Sequence, residues 1–592
     1  MLPVDWSPGR IRTVLVHSAA SACVTTNGGV KMNPLGGLEQ AMRLRRTALI
    51  ALSILVLAAT AASATGITTA SGNQEGTRPK RVVVVLVDAL SDEIIDRYDM
   101  DEVKQLQREG ADFGNSYLGH VGAVTVVTHN VLTTGVLPKH MGWTDEGYRD
   151  VDGLLTGLST EPDNPFWITS DFTSEQMFTL QRAAGYPKLA DYLHEAQPDS
   201  TVATISPKTY AGYAMGGPSS DIIVTFSGRS YDCDGDGTNN WRGPAGINVP
   251  TYLSQPQCGR WYVDSASDKK YDTDRSPAWM YPLDGDRYTV GTDPEHQGSD
   301  VWATDAALSI MDNEDWSGIL LSLPGVDKAA HMWGGIDDPG PDGRGIRFTH
   351  MRAAVNVADA QVGRIIDHLK ARGWWDETLL VLTSDHGQLP ARNFHGVDAA
   401  DRGFFNWYYG NAANGDYLDP APDLKPLADT GNIGLSYQDS AIRSWLKDQS
   451  PAAVGRTARV MRRLPDVIAV YARDGDRYRL ASVPRLDRLP RRERPWFVQH
   501  AQELVNTSAA PYGPDLIGLL AENTSYGVAG DHGGIQRNVQ QIPIVFGGGG
   551  VGRRDPHGAI RSVDILPTML KAMGIGVQIP LDGRPYDLPR SR

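Results

Sequence analysis

The sequence lacks internal repeats, an excess of positive charge, and apolar runs long enough to cross a bilayer. Its 63 glycines and 37 prolines follow no fixed period, which excludes collagen and solenoid folds. The formal net charge of −14 argues against a nucleic-acid partner held by phosphate contacts, because such a partner needs a basic face. Hydrophobic residues make up 41% of the 592 residues, which is enough for a sizeable core and excludes wholesale disorder.

An apolar run near the N-terminus predicts an export signal rather than a membrane anchor. Arg-Leu-Arg-Arg at residues 43–46 precedes an apolar stretch from Ala48 to Ala62, and Ala62-Ser63-Ala64 matches the A-x-A pattern of cleavage sites. At 15 residues the stretch is shorter than the roughly 20 that a membrane-spanning helix needs. We therefore expect residues 42–64 to be a signal peptide and the mature protein to be secreted or extracytoplasmic, without a stable membrane span.

The segments on either side of this signal are interpreted accordingly. A signal peptide normally starts at the N-terminus, so residues 1–41 are interpreted as a leader ahead of a true start at Met42, with Met32 as the alternative. Residues 65–80 are polar, with Gly, Thr and Ser prominent, and are predicted to be a linker.

Two further features lie between residues 232 and 258. Cys233 and Cys258 are 25 positions apart, and in an exported chain this pair predicts one disulfide. Asp232 opens a D-x-D-x-D-G pattern that has Asn at its ninth position and resembles the start of a calcium loop. Gly243 at the twelfth position excludes a full EF-hand, so an acidic turn is the alternative to structural calcium. The candidate calcium ligands are Asp232, Asp234, Asp236 and Asn240.

Apolar blocks of strand length recur along the chain and predict an α/β fold. The first of them, RVVVVLVD, is typical of a strand that is buried on both faces. Helical patterns such as Met351–Leu369 lie between several blocks, so we expect a doubly wound, mostly parallel sheet with helices on both faces. The predicted strands are residues 81–88, 201–205, 318–323, 379–383, 515–520 and 542–546.

Two long stretches interrupt this alternation and are predicted to be inserted subdomains. Residues 144–300 are rich in Gly, Pro, Asp and aromatics, and are too long for a connecting loop. Residues 400–510 form the second insertion, in which Ser440–Trp445 is predicted to be helical. The catalytic core is then expected in three parts, residues 81–143, 301–399 and 511–592.

Potential metal ligands follow several of the predicted strands. Because the carboxyl ends of parallel strands meet at one edge of a sheet, we expect these side chains to lie together. A single Asp in such a position is usually a helix cap or a turn residue, but four such features in one chain are hard to explain as caps. Imidazole and carboxylate together suit zinc, with manganese as the alternative, and two such ions would clamp a displacement at phosphorus. The candidates are Asp88, Asp327, His331, Asp385, His386 and His532.

Thr125 is the candidate nucleophile. It precedes a predicted helix over Thr128–Thr134 that Gly135 ends, and a helix N-terminus favours a phosphate oxyanion. A metal-bound threonine alkoxide is a competent nucleophile, whereas a free threonine is not. An ordinary β-branched strand residue is the alternative interpretation.

Together these segments resemble the alkaline phosphatase superfamily, and within it the type I phosphodiesterase/nucleotide pyrophosphatase group. In that group a threonine nucleophile and three side chains hold one metal, which here corresponds to Asp88, Thr125, Asp385 and His386. An Asp-x-x-x-His pair and a distal histidine hold the second, which corresponds to Asp327, His331 and His532. The resemblance implies an exported two-metal hydrolase that cleaves phosphodiester or pyrophosphate bonds of small molecules through a covalent phospho-threonine.

The chain also departs from this group at the substrate contacts. Thr128 stands where nucleotide pyrophosphatases have an asparagine that holds the phosphoryl oxygen, and a threonine can donate only one hydrogen bond there. Lys208 matches a phosphate-binding lysine of the phosphate-irrepressible alkaline phosphatases, but Tyr210 replaces the arginine that follows it in those enzymes. An alkaline phosphomonoesterase is therefore the alternative function. A non-catalytic surface-binding protein is the remote one.

Overall fold

The structure is a computed structural model. It describes residues 78–591 except for 156–164, 169–171, 226–243, 245–246, 248, 254–297, 338–348, 391, 396–421, 528–529 and 554–557. The predicted leader, signal peptide, disulfide and calcium loop lie outside the described residues, as does most of the predicted linker.

Most strands of the described residues belong to one of two sheets. The central sheet contains β1 (Arg81–Val87), β2 (Ala111–Asp112), β3 (Thr201–Ser206), β4 (Ile222–Thr225), β5 (Trp316–Leu323), β6 (Thr378–Thr383) and β12 (Ile544–Gly548). The second sheet contains β7 (Ile433–Gln438), β8 (Ala441–Leu446), β9 (Val467–Asp474), β10 (Arg477–Leu480) and β11 (Leu516–Leu520). Two-residue strands pair separately at Ser116–Tyr117 with Ile560–Arg561, Gly147–Tyr148 with Phe166–Trp167, and Asn393–Phe394 with Thr524–Ser525.

The central sheet is mixed but mostly parallel, as the sequence predicts. Its strand order is β2-β12-β6-β1-β5-β3-β4. The five strands from β6 to β4 run parallel, while β12 is antiparallel to β6, and β2 is antiparallel to β12. Because β6, β1 and β5 are neighbours, the chain segments that follow them emerge side by side at one edge of the sheet.

Strand β1 is apolar throughout because both of its faces are covered. Val83 and Val85 belong to one hydrophobic core, and Val82 and Val84 belong to another on the opposite face. All four side chains are fully buried. The central position of β1 therefore explains the RVVVVLV run that marks it in the sequence.

The described residues contain fourteen α-helices, several of which pack against the central sheet. The helices are α1 (Asp92–Tyr98), α2 (Asp101–Glu109), α3 (Thr125–Thr134), α4 (Ser174–Ala184), α5 (Leu189–Ala196), α6 (Thr209–Gly216), α7 (Gly298–Asn313), α8 (Gly325–Trp333), α9 (His350–Ala371), α10 (Lys425–Ala428), α11 (Pro451–Met461), α12 (Arg494–Asn506), α13 (Arg537–Gln540) and α14 (Ile565–Met573). Within the described ranges, none of these helices combines the length and the apolar character needed to traverse a bilayer.

The second sheet corrects two details of the sequence analysis. Ser440–Trp445 is not helical, because Ala441–Leu446 forms β8 and pairs with strands on both sides. Every residue of β8 is buried, so the segment lacks the two-residue alternation that would identify a half-exposed strand. Strand β11, predicted with the catalytic core, lies in the middle of this antiparallel sheet.

The first predicted insertion also differs from the structure. Strands β3 and β4 lie inside residues 144–300, yet they complete one end of the central sheet. Strand β3 is the strand predicted at residues 201–205, whereas the four-residue β4 is not predicted from the sequence. The central sheet therefore draws on part of the segment that composition alone assigns to a lid.

Candidate active site and metal centre

The candidate nucleophile begins a buried helix. Val124 is extended, and α3 starts at Thr125, one turn earlier than the predicted start at Thr128. The helix ends where Gly135 adopts a left-handed conformation with φ of 66°, as its position after the threonines predicts. Thr125 is only 2% exposed, so its hydroxyl lies within the protein at the positive end of a ten-residue helix.

The first group of ligands follows β1 and β6. Asp88 comes directly after β1, and Asp385 and His386 come just after β6. His386 Nε2 lies 3.5 Å from Asp88 Oδ1 and 3.5 Å from Asp385 Oδ2. The His386 Nδ1–H donates to the Gly387 carbonyl over 3.0 Å, which leaves Nε2 as the lone-pair nitrogen that faces the carboxylates.

The second group of ligands lies beside the first. Asp327 and His331 occupy one face of α8, with 3.1 Å between Asp327 Oδ1 and His331 Nε2. His532 Nε2 is 3.2 Å from His331 Nε2 and 3.5 Å from Asp327 Oδ1. The His532 Nδ1–H donates to the Ala123 carbonyl over 3.0 Å, so the same tautomer again presents Nε2 to the site.

These residues fit a pair of metal ions. Two sets of three side chains each bring their ligand atoms within 4.8 Å of one another, and Asp327 is common to both sets. Among the residues that the structure describes, five buried atoms of the ligand side chains have no hydrogen-bond partner; one is His331 Nδ1, and cations would satisfy the other four. The sets are Asp327, His331 and His532, and Asp88, Asp327 and His386. The four atoms are Asp88 Oδ1, Asp327 Oδ1, Asp385 Oδ2 and His386 Nε2.

The electrostatics of the carboxylates agree with this assignment. Burial, together with the charges of Asp327 and Asp385, raises the pKa of Asp88 well above its usual value. Burial would also raise the pKa of Asp327, but nearby His331 and Lys208 hold it well below its usual value. Three carboxylates packed this closely need positive charge at their centre. The site therefore contains two adjacent candidate metal sites, whose His and Asp ligands are consistent with a dinuclear centre.

Lys208 contributes one positive charge at the same point. Its ammonium donates hydrogen bonds to Asp88 Oδ2 over 2.5 Å and to Asp327 Oδ2 over 2.7 Å. It also donates to the Thr125 hydroxyl oxygen over 3.2 Å. Burial opposes the charge, but the adjacent Asp327 and Asp88 raise the pKa of Lys208 well above its usual value, so the side chain stays cationic. The residue predicted to bind phosphate thus lies beside the candidate nucleophile.

Thr128, the other predicted phosphate contact, has different partners. Its hydroxyl donates to the Asp385 carbonyl over 2.7 Å and lies 3.3 Å from His120 Nε2. Its only proton is therefore used to hold the loop that carries Asp385 against α3. A phosphate contact by Thr128 therefore stays a prediction.

A buried histidine orients the first turn of α3. The His129 Nδ1–H donates to the Thr125 carbonyl over 2.8 Å, and Nε2 accepts from the Ser322 hydroxyl over 2.9 Å. Burial lowers the pKa of His129 to about 4, although Asp385 opposes this shift, so the imidazole is neutral. His129 is a positioning residue that ties α3 to the end of β5.

The second sheet holds the loop of His532 in place. Buried Arg443 on β8 forms two hydrogen bonds, of 2.8 and 2.5 Å, with the Asp439 carboxylate and a third contact of 2.6 Å with Asp145. The Asp439 carboxylate fills the space next to Gly533, and the Ser440 amide donates to the His532 carbonyl over 3.0 Å. No short motif in the sequence indicates this clamp, because it joins residues that are about 90 positions apart.

The fold and the site together define a metal-dependent phosphate ester hydrolase of the alkaline phosphatase superfamily. The type I phosphodiesterase/nucleotide pyrophosphatase family matches residues 82–406, which is more than half of the chain. The chain therefore belongs to this family, as the sequence motifs predict.

Individual relatives extend this comparison over most of the chain. Alkaline phosphatase PhoD of Zymomonas mobilis is 25% identical over 88% of this chain and 89% of its own length. Alkaline phosphatase PhoK of a Sphingomonas species is 22% identical over 86% of this chain and 91% of its own. The crystal structure of wild-type alkaline phosphatase PafA shares the fold, with a TM-score of 0.54 and 14% identity over 86% of this chain and 98% of that one.

Proposed function

We propose that the protein is an exported alkaline phosphomonoesterase that acts on small-molecule phosphate esters. The observation that carries this proposal is the Lys208 ammonium, 3.2 Å from the Thr125 hydroxyl oxygen. A monoester presents a dianionic phosphoryl group, and a buried cation beside the nucleophile favours that extra charge. The two alkaline phosphatases that match 88% and 86% of the chain support the same choice. We therefore place the monoesterase ahead of the phosphodiesterase that the sequence alone favours.

In the proposed reaction the Thr125 oxygen attacks phosphorus in line with the leaving oxygen. The Thr125 hydroxyl releases its proton to solvent and the new oxygen–phosphorus bond forms as the ester bond breaks, while the leaving oxygen takes up a proton from solvent and departs as an alcohol. Water then attacks the phospho-threonine, which releases inorganic phosphate and restores the hydroxyl. The N-terminus of α3 and the Lys208 ammonium stabilise the non-bridging oxygens during both steps.

We propose zinc as the metal, because the donors are imidazole nitrogens and carboxylate oxygens, with manganese as the alternative. Two such ions supply Lewis-acid stabilisation of the phosphoryl oxygens and lower the pKa of Thr125 and water. Asp88, Thr125, Asp385 and His386 would hold one ion. Asp327, His331 and His532 would hold the other.

A phosphodiesterase is the second candidate. The family that matches residues 82–406 is named for phosphodiesterases and nucleotide pyrophosphatases. In addition, Tyr210 replaces the arginine expected beside Lys208 in the related monoesterases, which removes one recognised cation from the site. These two observations favour a substrate with a single negative charge at phosphorus.

The two candidates are separated by a comparison of substrates. We would measure kcat/KM of the zinc-loaded mature protein for p-nitrophenyl phosphate and for bis-p-nitrophenyl phosphate. Thr125→Ala should lower both by at least about 1,000-fold, because it removes the nucleophile. Thr134→Ala is the matched control, since Thr134 lies at the far end of the same helix and donates to the Asn130 carbonyl. A preference for the monoester supports the proposal, and a preference for the diester would replace it with the second candidate.

Export is a separate proposal with its own test. The signal-like segment 42–64 ends in Ala62-Ser63-Ala64. Expression of the full chain in a host with an export pathway should give a mature N-terminus at Thr65, as read by N-terminal sequencing. An uncleaved chain in the cytoplasm would contradict this expectation.

A further inference from the structure

Recognition of a phosphomonoester poses a charge problem in this site. The phosphoryl group has three non-bridging oxygens and two negative charges, yet Tyr210 occupies the place of the arginine that accompanies the lysine in related monoesterases. One ammonium group, that of Lys208, faces Thr125. If the protein hydrolyses monoesters, a second cation has to come from another part of the site.

Lys328 lies in position to supply it. It occupies the first turn of α8, next to the ligand Asp327, and it is only 5% exposed. Its Nζ lies 3.6 Å from Asp327 Oδ2, which is the same oxygen that accepts a hydrogen bond of 2.7 Å from Lys208. The two ammonium nitrogens therefore cannot be further apart than these two distances together, about 6.3 Å.

This upper limit is compatible with two cations that hold one phosphoryl group. Two cations that each donate a hydrogen bond of about 2.8 Å to different oxygens of one phosphoryl group lie roughly 4 to 7 Å apart, a range that this limit allows. Lys208 already contacts the Thr125 oxygen, so a phosphoryl group held by both lysines would lie next to the nucleophile.

The surrounding charges favour the same arrangement. Both lysines are almost completely buried, and both interact electrostatically with the buried carboxyl of Glu146. Two ammonium groups this close repel each other in a site of low dielectric constant. A dianion bound between the two ammonium groups compensates both positive charges, whereas a monoanionic diester compensates only one.

We propose that Lys328 is the second phosphate-binding cation of this active site and that it sets the preference for monoesters over diesters. Together with Lys208 it would contact the non-bridging oxygens, in place of the arginine that is absent at position 210. This inference rests on the proposed phosphomonoesterase function and assigns the residue that makes it selective.

The test compares Lys328→Met with the wild-type protein, both loaded with zinc. We expect kcat/KM for p-nitrophenyl phosphate to fall about 10-fold to 100-fold, because this is the effect of losing one charge-assisted hydrogen bond. The kcat/KM for bis-p-nitrophenyl phosphate should fall by less than about 3-fold. Calorimetric titration with inorganic phosphate should show a dissociation constant weakened by a similar factor. Zinc content should stay at the wild-type level, and Lys328→Arg should restore part of the monoester activity.

Lys188→Met is the matched control. Lys188 is also a buried lysine, but its ammonium donates to Asn130 Oδ1 and the Ala214 carbonyl, outside the metal site. A folding defect lowers the rates with both substrates equally, so the ratio of the two kcat/KM values is independent of how much protein is folded. This ratio should be unchanged in Lys188→Met and lowered in Lys328→Met. If the methionine variant cannot be purified, Lys328→Gln serves for the same comparison.

Three results would overturn the inference. The first is an equal fall of kcat/KM for both substrates in Lys328→Met, and the second is an unchanged affinity of this variant for inorganic phosphate. The third is a loss of bound zinc from the variant, because that would show that Lys328 only compensates the charge of Asp327. The proposed function is judged separately, by the substrate preference of the wild-type protein. If the wild type prefers diesters, the proposed function fails, while the phosphate titration still decides whether Lys328 binds the anion.

Discussion

Replacing Gly533 by alanine tests whether the second sheet holds a metal ligand in place. Gly533 follows His532 and has a φ of 86°, a left-handed conformation that costs alanine about 1 kcal/mol. A Cβ at this position would also lie 2.0 Å from Asp439 Oδ2 and 2.3 Å from Asp439 Cγ. No side chain tolerates such an overlap, so either the carboxylate or the His532 loop has to move.

Both movements are costly to the site. Displacing the carboxylate breaks its hydrogen bonds with Arg443 and leaves the buried guanidinium with Asp145 as its remaining carboxylate partner, a loss of about 1.5 to 3 kcal/mol for each charge-assisted hydrogen bond. Displacing the loop moves His532 away from Asp327 and His331, and loss of such a supporting contact lowers metal affinity by about 10-fold to 100-fold. We therefore expect Gly533→Ala to bind the ion of the His532 group at least about tenfold more weakly than the wild type.

The variant and the wild type are dialysed against buffers of defined free zinc concentration, and their zinc content is measured by mass spectrometry. Their kcat and melting temperature are measured as well. Gly475→Ala is the matched control, because Gly475 also has a left-handed φ, 65°, but a Cβ added there would meet nothing within 4 Å. Gly475→Ala should lose only the stability that the left-handed backbone costs an alanine, about 1 kcal/mol, and should keep its zinc. If Gly533→Ala retains full zinc at low free concentrations and melts like Gly475→Ala, the clamp does not position His532.

Two further predictions concern buried groups outside the metal ligands. Ser322→Ala leaves His129 Nε2 without its donor and should destabilise the protein by about 1 to 3 kcal/mol in thermal unfolding. Because burial lowers the pKa of His129 to about 4, the pH–rate profile between pH 5 and 9 should not move, and a shift would instead assign the imidazole a role in proton transfer. Burial also lowers the pKa of Lys188 to about 7 from 10.5, so between these values the unfolded chain binds more protons and stability rises with pH. The melting temperature of the wild type should therefore rise relative to that of Lys188→Met between pH 7 and 9.5, and parallel curves would contradict the low pKa.

The parts of the site that follow central strands can be predicted from the sequence. The apolar run before Asp88 and the four-residue spacing of Asp327 and His331 each reflect local geometry, which a sequence pattern records directly. The sequence predicts the start of α3 one turn too late, because Thr125 and the two valines after it also suit a strand.

The remaining features depend on contacts between distant parts of the chain. The local pattern predicts a helix over Ser440–Trp445, but hydrogen bonds to strands on both sides make the segment β8. The hydrogen bond from the Thr128 hydroxyl to the Asp385 carbonyl, which joins two segments far apart in the chain, is not evident from the sequence. The support of His532 by Asp439 depends on how two sheets pack, and no local pattern encodes that arrangement.

The ligands of the metal centre come from segments that are far apart in the chain, and this affects how the protein folds. Asp88 and His532 are 444 positions apart, and the chain between them forms most of both sheets. Closing a loop of that length loses conformational entropy before any contact across it can compensate. Partly folded chains therefore carry an incomplete ligand set, and a metal ion binds tightly only once both sheets are assembled. By mass action, the ion then stabilises the finished molecule as a whole rather than any one of its segments.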